Sequence, residues 1–200
     1  HLDSRSNLTI ESDALAQRIL FEGKRAVGVE ILQKGQLRQI RARKEVILSA
    51  GALQSPQLLM LSGVGDADEL KAAGVPLVHH LPGVGKNLHD HPDFIFGYKS
   101  SDANLLGLSL KGGLHGFRQF LRYRKDRRGL LASNFAEGGG FLKTDPEQVA
   151  PDIQLHFVVA LVDNHARTLH RGHGFSCHVC LLRPKSRGTV TLRDRSAQTP

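Results

Sequence analysis

The chain has 200 residues, 40% of them hydrophobic, which is enough to bury a sizeable core as one domain or two small ones. It has no N-terminal hydrophobic segment typical of secretion, and no apolar run near the roughly 20 residues that span a membrane. Two cysteines argue against a disulfide scaffold and favour a reducing cytoplasm. The net charge of +8 suggests nucleic acid or an anionic membrane surface as a partner.

Short strands alternate with turns in the first part of the chain. Gly23 and Gly35, each beside a lysine, are turn signals between runs that favour β structure. Farther on, Asp66 is a suitable N-cap for a short helix that Gly74 would end. The predicted strands are Leu8–Ile10, Arg18–Phe21, Ala26–Leu32 and Leu37–Ala42.

The segment from Ser49 to Gly65 predicts a strand that ends in a glycine turn and reopens as a helix. Glu45–Leu48 supply the β-prone run, and Ala50–Ala52 leave no side chain large enough to keep another molecule off the main chain. This pattern presents backbone to a ligand. It also fits an ordinary strand-turn-helix crossover of an α/β domain.

The helix of this segment has its own start and stop signals. Ser55 is a natural N-cap, and Pro56 fits the first helical position because its missing N–H has no intrahelical partner there. The apolar run Leu58–Leu61 provides the buried side, and Gly63 ends the helix. The sequence therefore predicts a helix that begins at Pro56.

From about Asp93 onward, longer strands surround a single helix. In Asp152–Leu161, apolar residues alternate with Gln154 and His156, which predicts a half-covered strand of an antiparallel sheet. The other strands predicted here are Phe94–Tyr98, Phe135–Lys143, Phe175–Arg183 and Gly188–Arg193.

Much of the positive charge lies in Phe117–Arg128. Arg118, Arg122 and Lys125 occupy one helix face, and the apolar residues recur on another. The simplest interpretation is an amphipathic helix with a solvated basic side; contact with acidic lipid or a partner domain is the alternative. Nucleic acid is disfavoured because no aromatic stacking platform accompanies the charge. The apolar residues are Leu114, Phe117, Phe120 and Leu121.

Histidines and cysteines crowd into residues 170–180. Cys177 and Cys180 have the spacing of a zinc knuckle, but in an extended strand their side chains point to opposite faces. No second cysteine pair completes a metal site. We therefore predict no metal here, and interpret these side chains as buried or interface residues.

Several segments resemble the glucose-methanol-choline (GMC) oxidoreductases, flavoenzymes that oxidise alcohols with FAD. The resemblance is carried by the Ser49–Gly65 segment and by motifs that follow the family's order and cover nearly the whole chain. The last three resemble the substrate domain of its choline-dehydrogenase-like branch. The motifs are NLTIESDALAQRILFEGKRAVGVE from Asn7, LPGVGKNLHDHP from Leu81, SNFAEGGGF from Ser133, DIQLHF from Asp152 and GFSCHVCLLRPKSRGTVTLRD from Gly174.

Two family features do not occur in these 200 residues. The family begins with a G-x-G-x-x-G turn that holds the FAD pyrophosphate, and no such pattern is present. The family's catalytic pair, a histidine with a second histidine or asparagine, lies beyond the equivalent of Pro200. We therefore interpret the chain as an internal piece of a longer enzyme, without catalytic residues of its own.

The resemblance implies a mixed α/β (α+β) fold in two domains. Residues 1–92 correspond to the rear part of an FAD-binding domain. Residues 93–200 correspond to a substrate-binding domain, an antiparallel sheet with helices that is incomplete at its C-terminal end.

The resemblance also implies positions for the cofactor FAD. One residue matches the family position whose backbone meets the adenine, and three match the segment beside the adenosine. Three more lie in a loop that packs near the cofactor, with a structural or cofactor-side role. These positions are, in that order, Ala16; Ser49, Ala50 and Gly51; Asn87, Asp90 and His91.

Glu137 matches a carboxylate that faces the substrate's quaternary ammonium in choline-oxidising members; otherwise it is a strand-end glutamate in solvent. By the family's chemistry, a base removes the alcohol proton while hydride passes to the flavin, giving an aldehyde. The implied function is part of an FAD-dependent alcohol dehydrogenase or oxidase; the alternative is a non-catalytic binding module. The expected partners are an alcohol and the remaining segments of the same enzyme, in the cytoplasm, with peripheral membrane contact as an option.

Overall fold

The computed structural model describes residues 5–102, 104–162 and 170–199, and these form two compact units. The first unit combines His1–His89 with Ser186–Pro200, and the second is Asp90–Lys185. The sequence had assigned residues 186–200 to the second domain, and the outer ends of the two predicted domains, 1 and 200, lie outside the described residues. The FAD-binding and substrate-binding assignments of the domains remain predictions.

A three-stranded antiparallel sheet opens the first unit. It consists of β1 (Ala14–Glu22), β2 (Arg25–Gln33) and β3 (Gln36–Arg41), in that order. Gly23 and Gly35 make its hairpin turns with φ of +60° and +77°, which glycine adopts without strain. Three predicted strands are thus confirmed. The prediction was wrong for Leu8–Ile10 and Glu45–Leu48, which pair with no strand among the described residues.

Helix α1 (Gly51–Leu61) begins earlier than the sequence predicted. Ala50 is its N-cap, so Ser55 and Pro56 lie inside the helix rather than at its start. The Ser55 hydroxyl instead accepts a hydrogen bond from the Ala50 N–H at 3.1 Å. The turn at Gly51, with φ of +86°, sends the chain directly into the helix, and Gly63 at +84° follows its end as predicted.

Helix α2 (Ala67–Ala72) follows the predicted capping chemistry. The Asp66 carboxylate accepts hydrogen bonds from the backbone N–H groups of Asp68 and Glu69, at 3.0 and 3.2 Å. These bonds lower the pKa of Asp66, although burial opposes them. Two short parallel strands flank the helix in the chain, β4 (Val64–Gly65) and β5 (His79–His80).

The first unit has an apolar core between its helices and the segment that returns at the C-terminal end. Met60 and Leu70 are 1% exposed. The Ser62 hydroxyl ties β1 to α1, because it accepts a hydrogen bond from the Ile19 N–H at 2.8 Å and donates one to the Leu58 carbonyl at 2.5 Å. The remaining core residues are Val64, Val75 and Val84, with Phe21, Leu59, Ala73, Val190 and Leu192 packed against them.

The returning segment belongs to this unit because it pairs with the loop after Val84. The backbones of Gly188 and Leu88 exchange two hydrogen bonds, and the Val190 N–H donates to the Gly85 carbonyl at 2.7 Å. The predicted strand Gly188–Arg193 is therefore wrong. Gly188 forms a single bridge, and no described strand continues it.

An antiparallel sheet dominates the second unit. Its strand order is β6-β10-β9-β8, and the short β7 (Gly107–Leu108) also pairs with β10. The four strands predicted for this part of the chain are confirmed, and so is the mixed fold of helices and antiparallel sheets. The long strands are β6 (Asp93–Ser100), β8 (Ala136–Leu142), β9 (Ile153–Val158) and β10 (Gly172–Leu181).

Helix α3 (Leu110–Asp126) confirms the predicted amphipathic helix and its solvated basic side. Ser109 caps it, accepting a hydrogen bond from the Gly112 N–H at 2.9 Å. The sequence implied that the apolar side is buried, yet Leu114 and Phe117 are more than half exposed. No described helix is long and apolar enough to cross a membrane.

Candidate functional site

The fold brings two of the predicted cofactor positions to one cavity. Ala16 of β1 and Ala50, just before α1, line a space of about 240 Å³ in the first unit. Both side chains are single methyl groups, so larger residues at these positions would fill the space. The other lining residues are Ala14, Leu15, Gln54, Gln57, Leu58, Leu61 and Ala197.

A β-bulge sets the orientation of β1 beside this cavity. Ala16 pairs with Ile31 and Arg18 with Glu30, so Gln17 is the extra residue. The Gln17 side-chain nitrogen is buried, and it has no hydrogen-bond partner among the residues that the structure describes. A buried donor without a partner is costly, so this position favours a further acceptor.

An ion pair fixes the strand directly after the bulge. Arg18 Nε lies 2.9 Å from a carboxylate oxygen of Glu30. This hydrogen bond lowers the pKa of Glu30, and burial opposes it to a smaller extent. The pair holds the register of β1 against β2 where Ala16 meets the cavity.

The turn before α1 leaves its backbone open. A Cβ atom at Gly51 would meet nothing within 4 Å, and the φ of +86° favours glycine. Ser49, Ala50 and Gly51 are all exposed. Ser49 and Gly51 do not line the cavity with Ala50, but they flank it in the chain. The predicted accessible backbone is therefore present.

A second cavity of about 420 Å³ lies on another side of α1 and includes Asn87. Asn87 has a left-handed backbone with φ of +60°, and its carbonyl oxygen lies 2.6 Å from His89 Nδ1. Gly85 is required by the close approach of the returning segment, because a Cβ there would overlap the Val190 carbonyl oxygen. The other lining residues are Ala52, Ser55, Pro56, Leu59, Val84, Lys86 and Leu88.

Asp90 and His91 belong to the second unit, where both are exposed. The Asp90 carboxylate accepts a hydrogen bond from the His91 N–H at 2.8 Å, so its side chain serves a local turn. Their cofactor-side role remains a prediction.

Glu137 lies at a β-bulge in β8. Ala136 pairs with Val158 and Gly138 with Phe157, so Glu137 has no partner residue across the sheet. Its side chain is exposed, and no hydrogen bond or ion pair joins it to the described part of the chain. Just before it, Phe135 has φ of +66°, which is rare for an aromatic residue. Bulges and such strained positions are enriched beside functional sites.

The neighbouring glycines have a structural explanation. Gly138–Gly140 form a run of three glycines in β8, which could accommodate a ligand or another backbone. A Cβ at Gly139 would lie 2.6 Å from the Leu155 carbonyl oxygen on β9. At Gly139, therefore, the close approach is that of the adjacent strand.

Sequence reasoning missed a polar cluster at the start of β6. The Asp93 carboxylate lies 2.6 Å from His178 Nδ1 and 3.4 Å from the Cys180 sulfur. Burial raises the pKa of Asp93, but the hydrogen bonds from His178 and Cys180 and the charges of His178 and His156 outweigh it and hold that pKa below its usual range. Only the β6-β10 register, which pairs Cys180 with Asp93, could have revealed the contact.

The same cluster explains the cysteines. Burial raises the pKa of Cys180, and the nearby Asp93 carboxylate adds to this effect, so the thiol stays protonated and unreactive. The Cys177 sulfur instead contacts the His178 carbonyl oxygen at 3.9 Å. Within the described ranges, no group of three or more His, Cys, Asp or Glu side chains could hold a metal ion.

Comparison with known proteins agrees with this architecture. Residues 2–93 match the family model described as GMC oxidoreductase. The chain is 44% identical over 191 residues to an alcohol dehydrogenase [acceptor] from Pseudomonas putida, covering 94% of this chain and 35% of that protein. It is 43% identical over 198 residues to mitochondrial choline dehydrogenase from Homo sapiens, covering 98% and 33%.

Solved structures give the same result. A formate oxidase variant from Aspergillus oryzae RIB40, studied for FAD modification, superposes with a TM-score of 0.83 at 27% identity, covering 99% of this chain and 40% of that one. The chain spans about a third of the length of the curated relatives it matches. The chain therefore matches the GMC oxidoreductase family over residues 2–93, and nearly all of it is similar in sequence and in fold to these enzymes.

Proposed function

We propose that this chain is part of an FAD-dependent oxidoreductase that acts on an alcohol, similar to the choline dehydrogenases. The observation that carries the proposal is the meeting of Ala16 and Ala50 at one cavity beside the open backbone of Gly51. These are the positions that the family resemblance assigns to the adenosine part of FAD. They lie far apart in the sequence, so their meeting is a property of the fold.

The residues present fit the adenosine part of this cofactor. An adenosine needs a flat space with backbone groups at its edge, and the methyl side chains of Ala16 and Ala50 leave that space open. Gln54 and Gln57 supply amide groups that can donate and accept hydrogen bonds at the same cavity. Gln17, whose side-chain nitrogen has no partner among the described residues, is next to Ala16 on β1 but does not line the cavity.

FAD, when bound, supplies the hydride acceptor for oxidation of the alcohol. This chain's own contribution is binding and orientation. Ala16, Ala50 and Gly51 would border the adenosine, and Ser49 would lie beside it. Asn87 lines the second cavity beside α1, where its left-handed backbone fixes the loop. Asp90 and His91 follow that loop in the chain and are the first residues of the second unit. No residue of this chain is assigned the role of catalytic base.

Glu137 is our candidate for substrate recognition. It is a carboxylate without an ion-pair partner among the described residues. At the bulge, it also has no partner residue on the neighbouring strand β9. A carboxylate attracts a quaternary ammonium group strongly once water is excluded. The substrate class proposed for this position is therefore an alcohol that carries a positive charge.

Gly51→Val in the complete protein tests the cofactor site. We expect reduced FAD per protein, because the side chain would occupy the approach to the backbone. Gly23→Val is the matched control, since Gly23 also has positive φ and open space but lies in a hairpin turn away from the cavity. FAD content is measured by absorption after purification. Equal FAD loss in both variants would assign the effect to strain and contradict the proposed site.

Glu137→Gln tests the substrate site in the same protein. We expect binding of a quaternary-ammonium alcohol to weaken by about 1.5 to 3 kcal/mol, and binding of a neutral alcohol to change much less. Glu147→Gln is the control, because Glu147 is an exposed glutamate of the same unit. Equal loss for both alcohols would indicate a structural role for Glu137. No loss for either would leave it in solvent.

The alternative function is a non-catalytic binding module derived from this family. One measurement on the complete protein distinguishes the enzyme from the binding module: alcohol-dependent reduction of bound FAD. Its occurrence supports the enzyme, and a purified protein without flavin supports the module. The partners that we propose are the alcohol and the other segments of the same protein, in a cytoplasmic protein with peripheral membrane contact.

A further inference from the structure

Helix α3 contacts its own unit through its small and polar side. At 3.6 residues per turn, these partly buried positions form one stripe along the helix. Gly112 lies close to the rest of the unit, because a Cβ atom there would overlap the Gly107 carbonyl oxygen. The stripe consists of Gly112, His115, Gly116, Gln119 and Tyr123.

The opposite side of α3 is apolar and points away from the unit. No residue of this helix is buried. A large contiguous apolar surface of this kind marks an interaction site. We call it the apolar stripe, and it consists of Leu110, Leu114, Phe117, Phe120 and Leu121, which are 97%, 54%, 58%, 45% and 50% exposed.

Positive charge follows the edge of the apolar stripe. Residues 110–128 contain seven Lys or Arg and a single carboxylate, Asp126. Their net charge is therefore +6, out of +8 for the whole chain. Most of the excess charge is therefore concentrated in this one helix and its C-terminal end. The cations on one edge of the stripe are Lys111, Arg118, Arg122 and Lys125.

We propose that α3 is an interfacial helix through which this protein binds the surface of an anionic lipid bilayer. An exposed apolar face with flanking basic residues, on a helix of low overall hydrophobicity, is the pattern of helices that lie in the plane of a membrane. The leucines and phenylalanines would enter the acyl boundary while Arg and Lys extend to the phosphates. The helix, about 26 Å long, is not long and apolar enough to cross a bilayer, so it would lie along the surface.

Charge complementarity selects lipid over a second copy of the chain. Two copies that paired through the apolar stripe would bring two strongly positive helices together, and this repulsion is unfavourable. An anionic bilayer offers both an apolar interior and negative headgroups. Nucleic acid would use the charge but leave the phenylalanines and leucines in water.

The second unit contains an internal comparison. Its sheet also exposes aromatic side chains, including Phe94, which is 64% exposed against 58% for Phe117. Phe94 lies on β6 between Asp93 and Ile95, without a run of basic residues beside it. Phe94 therefore matches Phe117 in residue type and exposure, and differs in the charge of its surroundings.

The first experiment measures binding of the full chain to vesicles by co-sedimentation. We expect binding to phosphatidylcholine vesicles with 30% phosphatidylglycerol, on the order of ten-fold or more above pure phosphatidylcholine, and weaker binding at high salt. Phe117→Gln should reduce binding by about ten-fold or more, from the lost apolar burial. Phe94→Gln should leave it within about two-fold.

The charges are tested separately. Arg118→Gln with Arg122→Gln should weaken binding to the anionic vesicles about 25-fold, because each basic residue near such a surface contributes about five-fold. Lys24→Gln with Arg25→Gln removes the same charge from the first unit and should leave binding within about two-fold. Circular dichroism of each variant verifies that the fold is retained.

Insertion is distinguished from adsorption by fluorescence. The chain has no tryptophan, so Phe117→Trp introduces a single reporter. On anionic vesicles we expect its emission to shift to shorter wavelength and to be quenched by brominated acyl chains. Phe94→Trp should show neither change.

Four results would overturn the proposal. They are equal binding to neutral and anionic vesicles, unchanged binding of Phe117→Gln, and an unchanged emission of Phe117→Trp on vesicles. The fourth is a dimer that Phe117→Gln dissociates, which would assign the apolar stripe to a second copy. The same emission experiment on the complete protein extends the test: a reporter already shielded from water without vesicles would assign the stripe to another segment.

Discussion

The two units of this chain bury different kinds of side chain. Apart from Pro184, every apolar side chain that the structure describes as buried lies in the first unit, where Met60 and Leu70 are 1% exposed. In the second unit the most deeply buried side chain is Ser176, which is fully buried between hydrogen-bond partners. The first unit has a fully buried apolar core, whereas the hydrogen-bonded sheet of the second unit leaves its apolar residues half-buried or exposed.

The two units therefore differ in their source of stability. Burial of apolar area is the main favourable term in folding, at about 25 cal/mol per Å², so the first unit contains its own source of stability. The second unit exposes Phe94, Phe96, Tyr98 and Phe157, together with the apolar stripe. We therefore expect lower local stability in the second unit, and amide exchange that is faster throughout its sheet.

The largest expected effect is in the core of the first unit. Leu70→Ala should lower the free energy of unfolding by about 2 to 5 kcal/mol, because it leaves a cavity beside Met60 and Val64. Native-state hydrogen exchange of the first unit measures this loss. Leu110→Ala is the control, since Leu110 is 97% exposed and should change little. A loss below about 1 kcal/mol at Leu70 would contradict the proposed core.

In the second unit, the corresponding test removes a hydrogen bond. The Ser176 hydroxyl donates to the Ala160 carbonyl at 2.8 Å and accepts from the Val162 N–H at 2.9 Å. Ser176→Ala should lower stability by about 1 to 3 kcal/mol, because both partners lose their bond. The Val162 amide should exchange faster. Ser101→Ala, at an exposed serine of the same unit, should have no such effect.

A smaller effect is expected at the start of α3. The Ser109 hydroxyl accepts from the Gly112 N–H, and it lies 2.6 Å from His173 Nε2, while His173 Nδ1 lies 2.7 Å from the Leu105 carbonyl oxygen. Because that carbonyl can only accept, Nδ1 carries a proton, and with a neutral imidazole the Ser109 hydroxyl donates to Nε2. Ser109→Ala should cost about 0.5 to 2 kcal/mol. Faster exchange of the Gly112 amide measures it, and Ser109→Thr should restore protection.

The smallest expected effect is a pH dependence in the second unit. The pKa of Asp93 is lower in the folded protein than its ordinary value of 3.8. Its contribution to stability is therefore complete above that value and is lost as the pH falls through the lower, folded pKa. Asp93→Asn should flatten the decrease of the melting temperature below about pH 4. The same decrease in both proteins would show that the His178 contact contributes nothing to folding.

Local chemistry made part of the fold predictable. The hairpins at Gly23 and Gly35 and the cap at Asp66 depend on residues within a few positions of each other, and all three are present. The start of α1 was mispredicted because the prediction used only such local signals. Ser55 and Pro56 form a good local start signal, but the turn at Gly51 begins the helix first.

Contacts between distant residues were not predictable. Asp93 and His178 meet because β6 and β10 pair in one register, and Val190 reaches the core because the chain returns to the first unit. The extra residue at Glu137 is likewise defined by its neighbouring strand. A single sequence gives the alternation of a strand and leaves its partner and its register undetermined.

Motifs and periodicity are local properties of the chain, and they were sufficient to predict the resemblance to the GMC oxidoreductases, the mixed fold, most of the strands and an amphipathic basic helix. The cavity shared by Ala16 and Ala50 and the outward orientation of the apolar stripe of α3 became apparent from the folded chain. The physical reason is that periodicity gives a helix two sides, while packing with distant residues selects which side is covered.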